Sequence, residues 1–314
     1  MCIRDRACSY SVGAMRFGSP SFLKTVLLCV CALPLAAQTR PAITGVAFAS
    51  FYSADPAASQ HFYGDLLGLN RISGGKTVVY PVNDLQWIQT VPLPDPALKS
   101  RMEAVGFTTR NASALERYLK AKGIAIEKSL HDGMFAVRDP EGNLVWFVQT
   151  GANKLVAQSR PSPRAVSQRI IHVGYVVKDE AKENTFYQDI LGFRPYWHGG
   201  RNDARSWVSL QVPDGTDWIE YMLNIPADAT LKSIGVNDHV SLGSADMAQI
   251  EAAMKANGCT GAECGKSQVG LDGKVQMNLY DPDLSRVEMM EFTPRETPCC
   301  SPILGKPPTT VEER

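Results

Sequence analysis

Residues 185–193, Thr-Phe-Tyr-Gln-Asp-Ile-Leu-Gly-Phe, decide the fold of this chain, because residues 61–69 carry a near-copy, His-Phe-Tyr-Gly-Asp-Leu-Leu-Gly-Leu. In both copies a glycine follows the apolar Leu-Leu or Ile-Leu step, which is typical of a helix end. Each copy follows a short apolar run that favours a strand, Ile-Thr-Gly-Val from residue 43 and Ile-Ile-His-Val from residue 170. The pattern indicates two copies of one domain.

Further matches extend the repeat. Trp87-Ile88-Gln89 corresponds to Trp218-Ile219-Glu220, and Asp-Pro-Glu-Gly-Asn at 139–143 corresponds to Asp-Pro-Asp-Leu-Ser at 281–285. Between the copies lies a polar, proline-containing segment without apolar periodicity, which is typical of a linker. The predicted parts are an upstream extension with a signal peptide (1–37), an N-terminal domain (42–151), the linker (152–168), a C-terminal domain (169–294) and a Pro- and Cys-containing tail (295–314).

Each domain divides again into two similar units. In the C-terminal domain the pattern predicts a helix from Asp179 to Leu191 and then three strands; a second unit has a strand at His239–Gly243 and a helix at Met247–Asn257. The remaining predicted strands of this domain are Arg194–His198, Ser206–Val212, Asp217–Leu223 and Val287–Phe292. The sequence therefore predicts an α+β fold of four β-α-β-β-β modules, two per domain.

Four residues of the C-terminal domain suggest chemistry: His172, Glu220, His239 and Glu288, at intervals of 48, 19 and 49 residues. Taken singly, each is typical of a hydrogen-bonded residue on a strand. Together, two imidazoles and two carboxylates suit one divalent ion such as Zn, Ni, Co, Fe or Mn. Two carboxylates buried together without a cation would repel each other. The four residues therefore predict a metal site.

These modules, with the Phe-Tyr-x-Asp-x-Leu-Gly helix end and the Asp-Pro-x-Gly-Asn turn, resemble the vicinal oxygen chelate superfamily over nearly all of residues 42–293. The family includes glyoxalase I, methylmalonyl-CoA epimerase, fosfomycin and bleomycin resistance proteins and extradiol dioxygenases. The resemblance implies cupped mixed sheets with helices outside, and metal ligands on the first and last strands of each module. It implies that His172 and Glu220 come from one module, and His239 and Glu288 from the next.

The N-terminal domain departs from this pattern. Its matching positions are Gly45, Gln89, Ala104 and Trp146. One amide does not hold a metal, so this domain is predicted to be metal-free, with a structural role or with metal-independent ligand binding. Its two histidines, His61 and His131, are predicted at the surface or in helix packing.

The predicted function is that of a glyoxalase-like lyase or isomerase that forms an enediolate or enolate from a small carbonyl or hydroxy-carbonyl compound. Glu220 and Glu288 are the candidates for moving the proton. Strand alternation predicts that Trp218, Met222, Arg286 and Met290 line the cup with the ligands, with His198 at its mouth. Arg286 either holds an anionic substrate group or pairs with a nearby carboxylate.

Two other functions stay open. His172, His239 and Glu288 alone form the two-His-one-carboxylate set of non-haem iron dioxygenases. However, the extradiol enzymes carry further His and Tyr residues before the last ligand, whereas Gly265–Leu279 has neither, and Glu220 would fill a position that oxygen chemistry needs. The third function is a non-catalytic protein that sequesters a small molecule.

The chain from Met15 to Ala37 has a basic start, a short apolar run and small residues before Gln38, which predicts a signal peptide cleaved near Ala37 and a periplasmic or secreted protein. An uncleaved anchor is the alternative. Without residues 1–37, 28 basic and 31 acidic residues remain and no basic stripe, which argues against nucleic acid as a partner. No later segment predicts a membrane span. A small-molecule substrate and a monomer or homodimer are expected.

Four cysteines follow the predicted cleavage site: Cys259, Cys264, Cys299 and Cys300. An oxidising compartment favours disulfides between them. Adjacent cysteines pair only with strain, so bridges from the tail pair back to Cys259 and Cys264 are predicted, which would attach the tail to the C-terminal domain. A zinc site made of cysteines alone is the alternative.

Overall fold

The computed structural model describes residues 39–202, 204–261 and 264–310. The predicted upstream extension and signal peptide lie outside these residues. Within them, no helix has both the length and the apolar character that crossing a bilayer requires.

Two eight-stranded mixed sheets form the protein, one from each half of the chain. The first sheet has the order β2-β3-β4-β1-β5-β8-β7-β6 and the second repeats it as β10-β11-β12-β9-β13-β16-β15-β14. The strands of the first sheet are β1 (Ile43–Ser53), β2 (Ile72–Gly74), β3 (Thr77–Pro81), β4 (Trp87–Pro92), β5 (Met102–Thr109), β6 (Ile126–His131), β7 (Met134–Arg138) and β8 (Leu144–Gln149). Those of the second are β9 (Ile170–Val176), β10 (Arg194–Gly199), β11 (Trp207–Gln211), β12 (Trp218–Met222), β13 (His239–Ser244), β14 (Gln268–Val269), β15 (Val275–Tyr280) and β16 (Arg286–Glu291). The predicted α+β fold of tandem modules is confirmed.

The centre of each sheet has the same arrangement. In the second sheet β9 runs parallel to β12 on one side and antiparallel to β13 on the other, and β13 runs parallel to β16. The module strands that carry the predicted ligands are therefore the four neighbours β12, β9, β13 and β16. Because side chains alternate across a strand, every second residue of these four strands faces the inside of the curled sheet.

The helix of each first module begins as α-helix and ends as π-helix. Asp179 caps the second of these helices by accepting a hydrogen bond from the backbone N–H of Lys182. Gly192, at a φ of 78°, follows its end, as the sequence predicted. The helices are Pro56–Ser59 continuing as Gln60–Leu66, Ala112–Ala121, Lys154–Ala157, Glu180–Asn184 continuing as Thr185–Ile190, Leu231–Asn237 and Met247–Ala256.

The two domains share one buried core. The side chain of Gln86 lies between them, where its Nε2 donates to the carbonyls of Val46 and Ile170 and its Oε1 accepts from the Ile170 N–H. Asp217 of the second domain accepts from the backbone N–H of Val46. These buried contacts join β1 to β9, so the two sheets form one body with a continuous core.

The predicted disulfide pairing is wrong. The structure pairs Cys259 with Cys264 and Cys299 with Cys300. Cys259 and Cys264 lie at the two ends of a short loop after the last helix, with their Cα atoms 5.6 Å apart, a normal disulfide separation. Cys300 has a φ of 76°, which lets the chain turn at the adjacent pair.

Backbone hydrogen bonds attach the tail instead of disulfides. On one side, the N–H groups of Arg295 and Cys299 donate to the carbonyls of Gly273 and Leu271, at 2.8 and 2.7 Å. On the other side, the N–H of Leu304 donates to the carbonyl of Tyr196 on β10 at 2.9 Å. The tail therefore spans the distance between β10 and the loop that joins β14 to β15.

Candidate metal centre

The four predicted ligands occupy two adjacent rows that cross the central strands of the second sheet. In the first row, His172 pairs with Ser241, which pairs with Glu288. In the second row, Glu220 pairs with Gly174, which pairs with His239. Each row thus contributes one imidazole and one carboxylate to the same face of the sheet, all from one chain.

The four side chains converge. Nε2 of His172 lies 3.0 Å from Nε2 of His239 and 3.1 Å from Oε2 of Glu288. Oε2 of Glu220 lies 3.4 Å from Nε2 of His239. Three of them, His172, His239 and Glu288, form a buried group whose ligand atoms all lie within 4.8 Å of one another. These separations are compatible with ligands around one cation at bond lengths of about 2.0–2.2 Å.

The protonation states suit a cation. Burial raises the pKa of a carboxyl, but Arg286 and the two imidazoles outweigh it and lower the pKa of Glu288 to about 2. Burial is likewise outweighed at Glu220, whose pKa is lowered by the neighbouring imidazoles. Burial and the charge of Arg286 lower the pKa of His239 to about 4. The group therefore offers ionised carboxylates and a neutral imidazole, which are the forms that bind metals.

Unpaired buried atoms also fit a bound ion. Oε2 of Glu288, although 3.1 Å from Nε2 of His172, makes no hydrogen bond among the described residues. Nδ1 of His239 lies 2.8 Å from the carbonyl of Asn237, a contact that only a protonated Nδ1 makes, so Nε2 keeps its lone pair. A divalent cation would satisfy Glu288 Oε2 and His239 Nε2 together, so the residues present fit the metal that the sequence predicts.

Several supporting residues were not predicted from the sequence. A Cβ at Gly174 would lie 2.2 Å from the ring of His239, so this position has to be glycine. A glycine two residues after His172 on a strand was the available signal, because glycine in a strand often marks a close approach. The Asn237 carbonyl and Lys274 gave no such signal. Lys274 is buried, with its ammonium 4.3 Å from the ring centre of Trp218.

A cavity of about 540 Å³ opens onto the two carboxylates of the four-residue group. Glu220, Glu288, Met222, Arg286 and Met290 line it, which places three of the predicted substrate-binding residues beside the two carboxylates. Arg286 Nη1 lies 3.8 Å from Glu288 Oε1, whereas its buried Nε has no partner among the described residues. The guanidinium of Arg286 thus lies beside a predicted ligand and lines the cavity.

Two predicted substrate-binding residues do not line the cavity. Trp218 is buried and stacks on the ring of His172, with centroids 4.6 Å apart, so it packs beside a predicted ligand. His198 follows Trp197, which lines the cavity, so strand alternation turns His198 away. Its backbone N–H donates to Ser301 Oγ in the tail at 2.9 Å.

The same two rows in the N-terminal domain contain no ligand set. Its first row pairs Trp87 with Phe48, Gly106 and Trp146, and its second pairs Gln89 with Ser50, Ala104 and Leu144. The counterpart of His172 is therefore Phe48, and the predicted match to Gly45 is wrong.

Phe48 fills the cup of this domain. Its ring stacks on Trp87 with centroids 4.7 Å apart, much as His172 stacks on Trp218. Apolar packing thus occupies the space that holds the polar group in the other domain. His61 and His131 are exposed, as predicted.

The match to a family model agrees with this architecture. The model of the Glyoxalase/Bleomycin resistance protein/Dioxygenase superfamily matches residues 45–147 and again 169–289. The chain belongs to this superfamily, which confirms the resemblance noted from its motifs. No curated protein sequence matches the chain.

Solved structures with the same fold include enzymes of different chemistry. A Mn(II)-bound glyoxalase from Novosphingobium aromaticivorans superposes with a TM-score of 0.61 at 15% identity, covering 80% of this chain and 83% of that one. Homoprotocatechuate 2,3-dioxygenase from Arthrobacter globiformis gives a TM-score of 0.59 at 18% identity, with 80% of both chains covered. A 2,3-dioxygenase from Pseudomonas sp. KL28 gives 0.59 at 15% identity, covering 84% and 98%. At these identities the likeness shows the shared fold.

Proposed function

We propose that this protein is an exported metal-dependent lyase or isomerase of the glyoxalase type, acting on a small carbonyl or hydroxy-carbonyl compound. The convergence of two imidazoles with two carboxylates that line one open cavity carries the proposal. His172, His239, Glu288 and Glu220 would hold one divalent ion. When bound, such an ion supplies a Lewis acid that stabilises negative charge on substrate oxygens.

Glu220 is the better candidate for the proton-transferring base. The side chain of Glu288 is 3% exposed and has Arg286 beside it, whereas that of Glu220 is 13% exposed and lies outside the tight three-residue group. Glu220 Oε1 accepts only a long hydrogen bond, 3.3 Å, from Ser209. Glu220 is thus free to take a proton from the carbon beside a carbonyl and return it to a neighbouring atom.

Arg286 and Asn278 would orient the substrate. Both residues line the cavity, and the side chain of Arg286 is 12% exposed. A substrate with a carbonyl or carboxylate oxygen and a nearby hydroxyl matches the guanidinium of Arg286 and the amide of Asn278. Such paired polar contacts hold the reacting carbon in a fixed position relative to Glu220.

The tight group of His172, His239 and Glu288 also supports a second candidate, a non-haem iron dioxygenase. Against it stands Glu220, whose Oε2 lies 3.4 Å from Nε2 of His239 and which as a fourth ligand would take up a coordination position that oxygen chemistry needs open. The two candidates differ in one measurable respect, since only the dioxygenase consumes O₂.

The test uses the purified full chain, supplemented in turn with Mn, Fe, Zn, Ni and Co. We expect about one ion per chain. In D₂O, NMR should show that the hydrogen beside the carbonyl of 2-oxoaldehydes or 2-hydroxyketones exchanges with deuterium. No O₂ should be consumed. Glu220→Gln should stop exchange, and Gln89→Ala, at the equivalent position of the other domain, should not. O₂ uptake with a diol substrate would replace the proposal with the dioxygenase. Absence of metal after supplementation would favour a sequestering protein.

A further inference from the structure

The cavity wall differs chemically from its floor. The floor carries the two glutamates and Arg286, whereas Trp207, Met222, Met290, Val269 and Leu271 form the apolar part of the wall, beside uncharged polar residues such as Ser206, Gln268 and Gln276. Val269 ends β14 and Leu271 lies in the loop between β14 and β15, and the two residues are 43% and 38% exposed. Tyr280, also at the cavity, is 43% exposed. Exposed apolar side chains gathered at one cavity indicate a ligand that covers them.

This concentration is specific to the cavity. Among the described residues, seven large hydrophobic side chains are exposed, and three of them line this one cavity. The others are scattered: Leu98, Leu155, Leu284 and Leu304. Scattered exposed leucines need no explanation, but a cluster facing a polar floor does.

The loop holds these side chains in place. The N–H of Gly270 donates to the carbonyl of Lys274 at 2.8 Å, and the carbonyl of Leu271 accepts from the N–H of Cys299 in the tail at 2.7 Å. Asp272 lies 3.8 Å from the buried ammonium of Lys274. Because the backbone is bonded on both sides of Leu271, its side chain stays beside the cavity.

The charges at the floor of the cavity suit a ligand with a small polar group at one end, its head. One divalent ion would balance Glu220 and Glu288, which leaves Arg286 as the remaining charge beside them. Along the wall, Arg201 and Asp272 are the charged residues, and Asp272 already faces Lys274. If the rest of the ligand, its body, carried several charges, most of these charges would therefore lie unpaired against Trp207, Met222 and Leu271.

From this division we infer that the substrate has an oxygen-bearing head joined to an uncharged apolar body, a ring or an alkyl chain, rather than to a charged peptide or nucleotide. The inference rests on the proposed function for the head and on the wall residues for the body. The head lies at Glu220, Glu288 and Arg286. The body lies against Trp207, Met222, Val269 at the end of β14 and Leu271 in the loop that follows.

Hydroxamates test this, because their two oxygens bind metal centres without turnover. The metal-loaded full chain is titrated calorimetrically with acetohydroxamate, benzohydroxamate, octanohydroxamate and the monohydroxamate of succinic acid. We expect the phenyl and octyl compounds to bind about tenfold or more tightly than acetohydroxamate, as burial of one apolar group predicts. The charged succinate compound should show no such gain.

Matched variants locate the effect. Because Val269 and Leu271 are exposed, the double variant Val269→Ser/Leu271→Ser should fold normally. It should lose most of the gain for the apolar compounds and keep the affinity for acetohydroxamate. Leu304→Ser, which is 65% exposed and outside the cavity, should change neither.

The outcomes separate the two proposals. Binding of acetohydroxamate without any gain for the apolar compounds overturns this inference alone. A gain that persists in the double serine variant overturns the role of the loop and with it the inference. Failure of every hydroxamate to bind, in a protein without metal, overturns the proposed function and this inference together.

Discussion

The phenol of Tyr63 donates a 2.8 Å hydrogen bond to Oδ2 of Asp281, which lies in the other domain. The opposite contact exists as well, since Tyr175 donates to Oδ2 of Asp139 at 2.9 Å and Tyr187 lies against the same group. Tyr63 and Tyr187 belong to the repeated Phe-Tyr helix motif, and the aspartates begin the repeated Asp-Pro turns. The motifs that revealed the duplication are thus the contacts that join the two copies.

Loss of the Tyr63 hydroxyl should destabilise the protein without affecting its metal content. Asp281 Oδ1 keeps its bonds from the backbone N–H groups of Asp283 and Ser285, but Oδ2 loses Tyr63. We expect Tyr63→Phe to lower the free energy of unfolding by about 1–3 kcal/mol in urea titrations. Tyr280→Phe, at an exposed position, serves as the control and should match the wild type. An unchanged urea midpoint for Tyr63→Phe would mean that this hydrogen bond adds nothing to the stability of the protein.

Glu183 should make stability depend on pH. Burial, reinforced by the charge of Asp139, raises the pKa of Glu183 to about 9, and its buried Oε2 has no partner among the described residues. The folded state therefore favours the protonated acid. Its stabilising contribution is complete below the ordinary pKa of 4.5 and declines as pH rises towards 9.

In Glu183→Gln this decline should largely disappear. The amide imitates the protonated acid, so the variant should be more stable than the wild type at pH 9 by ~2 kcal/mol, and similar to it at pH 5. Burial also raises the pKa of Asp139, so a smaller dependence of stability on pH should remain in this variant. Urea unfolding at pH 5, 7 and 9 measures the effect, with exposed Glu251→Gln as control. Identical slopes in both variants would contradict the assignment.

The four metal-centre residues should not be equivalent. His172, His239 and Glu288 form the tight group, so alanine at any of them should abolish stoichiometric metal after dialysis, measured by plasma mass spectrometry. Glu220 is more exposed and farther from its neighbour, so Glu220→Gln should retain metal with an affinity about tenfold weaker. Complete loss of metal in Glu220→Gln would show four equal ligands instead.

Metal removal should lower the thermal midpoint of the wild type, because the ion binds only the folded group. A chelator should therefore destabilise the wild type and leave His239→Ala unchanged. Equal midpoints with and without chelator would argue that no ion binds there.

Phe48 should matter for stability alone. Its ring packs on Trp87 and against Gly106, where a Cβ would lie 2.3 Å from it. Phe48→Ala should therefore cost about 3–5 kcal/mol of unfolding free energy. Metal content should stay at the wild-type value, in contrast to His172→Ala at the equivalent position. A change in metal stoichiometry would show that the N-terminal domain takes part in binding.

The sequence predicted the modules because helix and strand periodicity repeat with recognisable ends, such as Gly192 after its helix. It paired Gly45 with His172 because those short runs look alike locally. The structure pairs Phe48 with His172, since β1 is longer than β9 and has register shifts between Ile43 and Gly45 and between Val46 and Phe48. Bulges of this kind have no simple sequence signal.

The disulfides and the residues around the metal centre escaped prediction for another reason. Pairing depends on where loop ends meet in space, as at Cys259 and Cys264. The contacts of Asn237 and Lys274 arise from a backbone carbonyl and a buried loop residue. Neither type of contact leaves a periodic pattern in the chain.

The attachment of the tail on both sides of the cavity has a consequence for biosynthesis. The ribosome adds residues 295–304 after the last strand of the second sheet, yet their N–H groups secure Leu271, Gly273 and Tyr196. A chain in which only the two sheets have formed still lacks these bonds. The cavity therefore reaches its final shape only after the tail, the last of these segments to be synthesised, has folded against both sides.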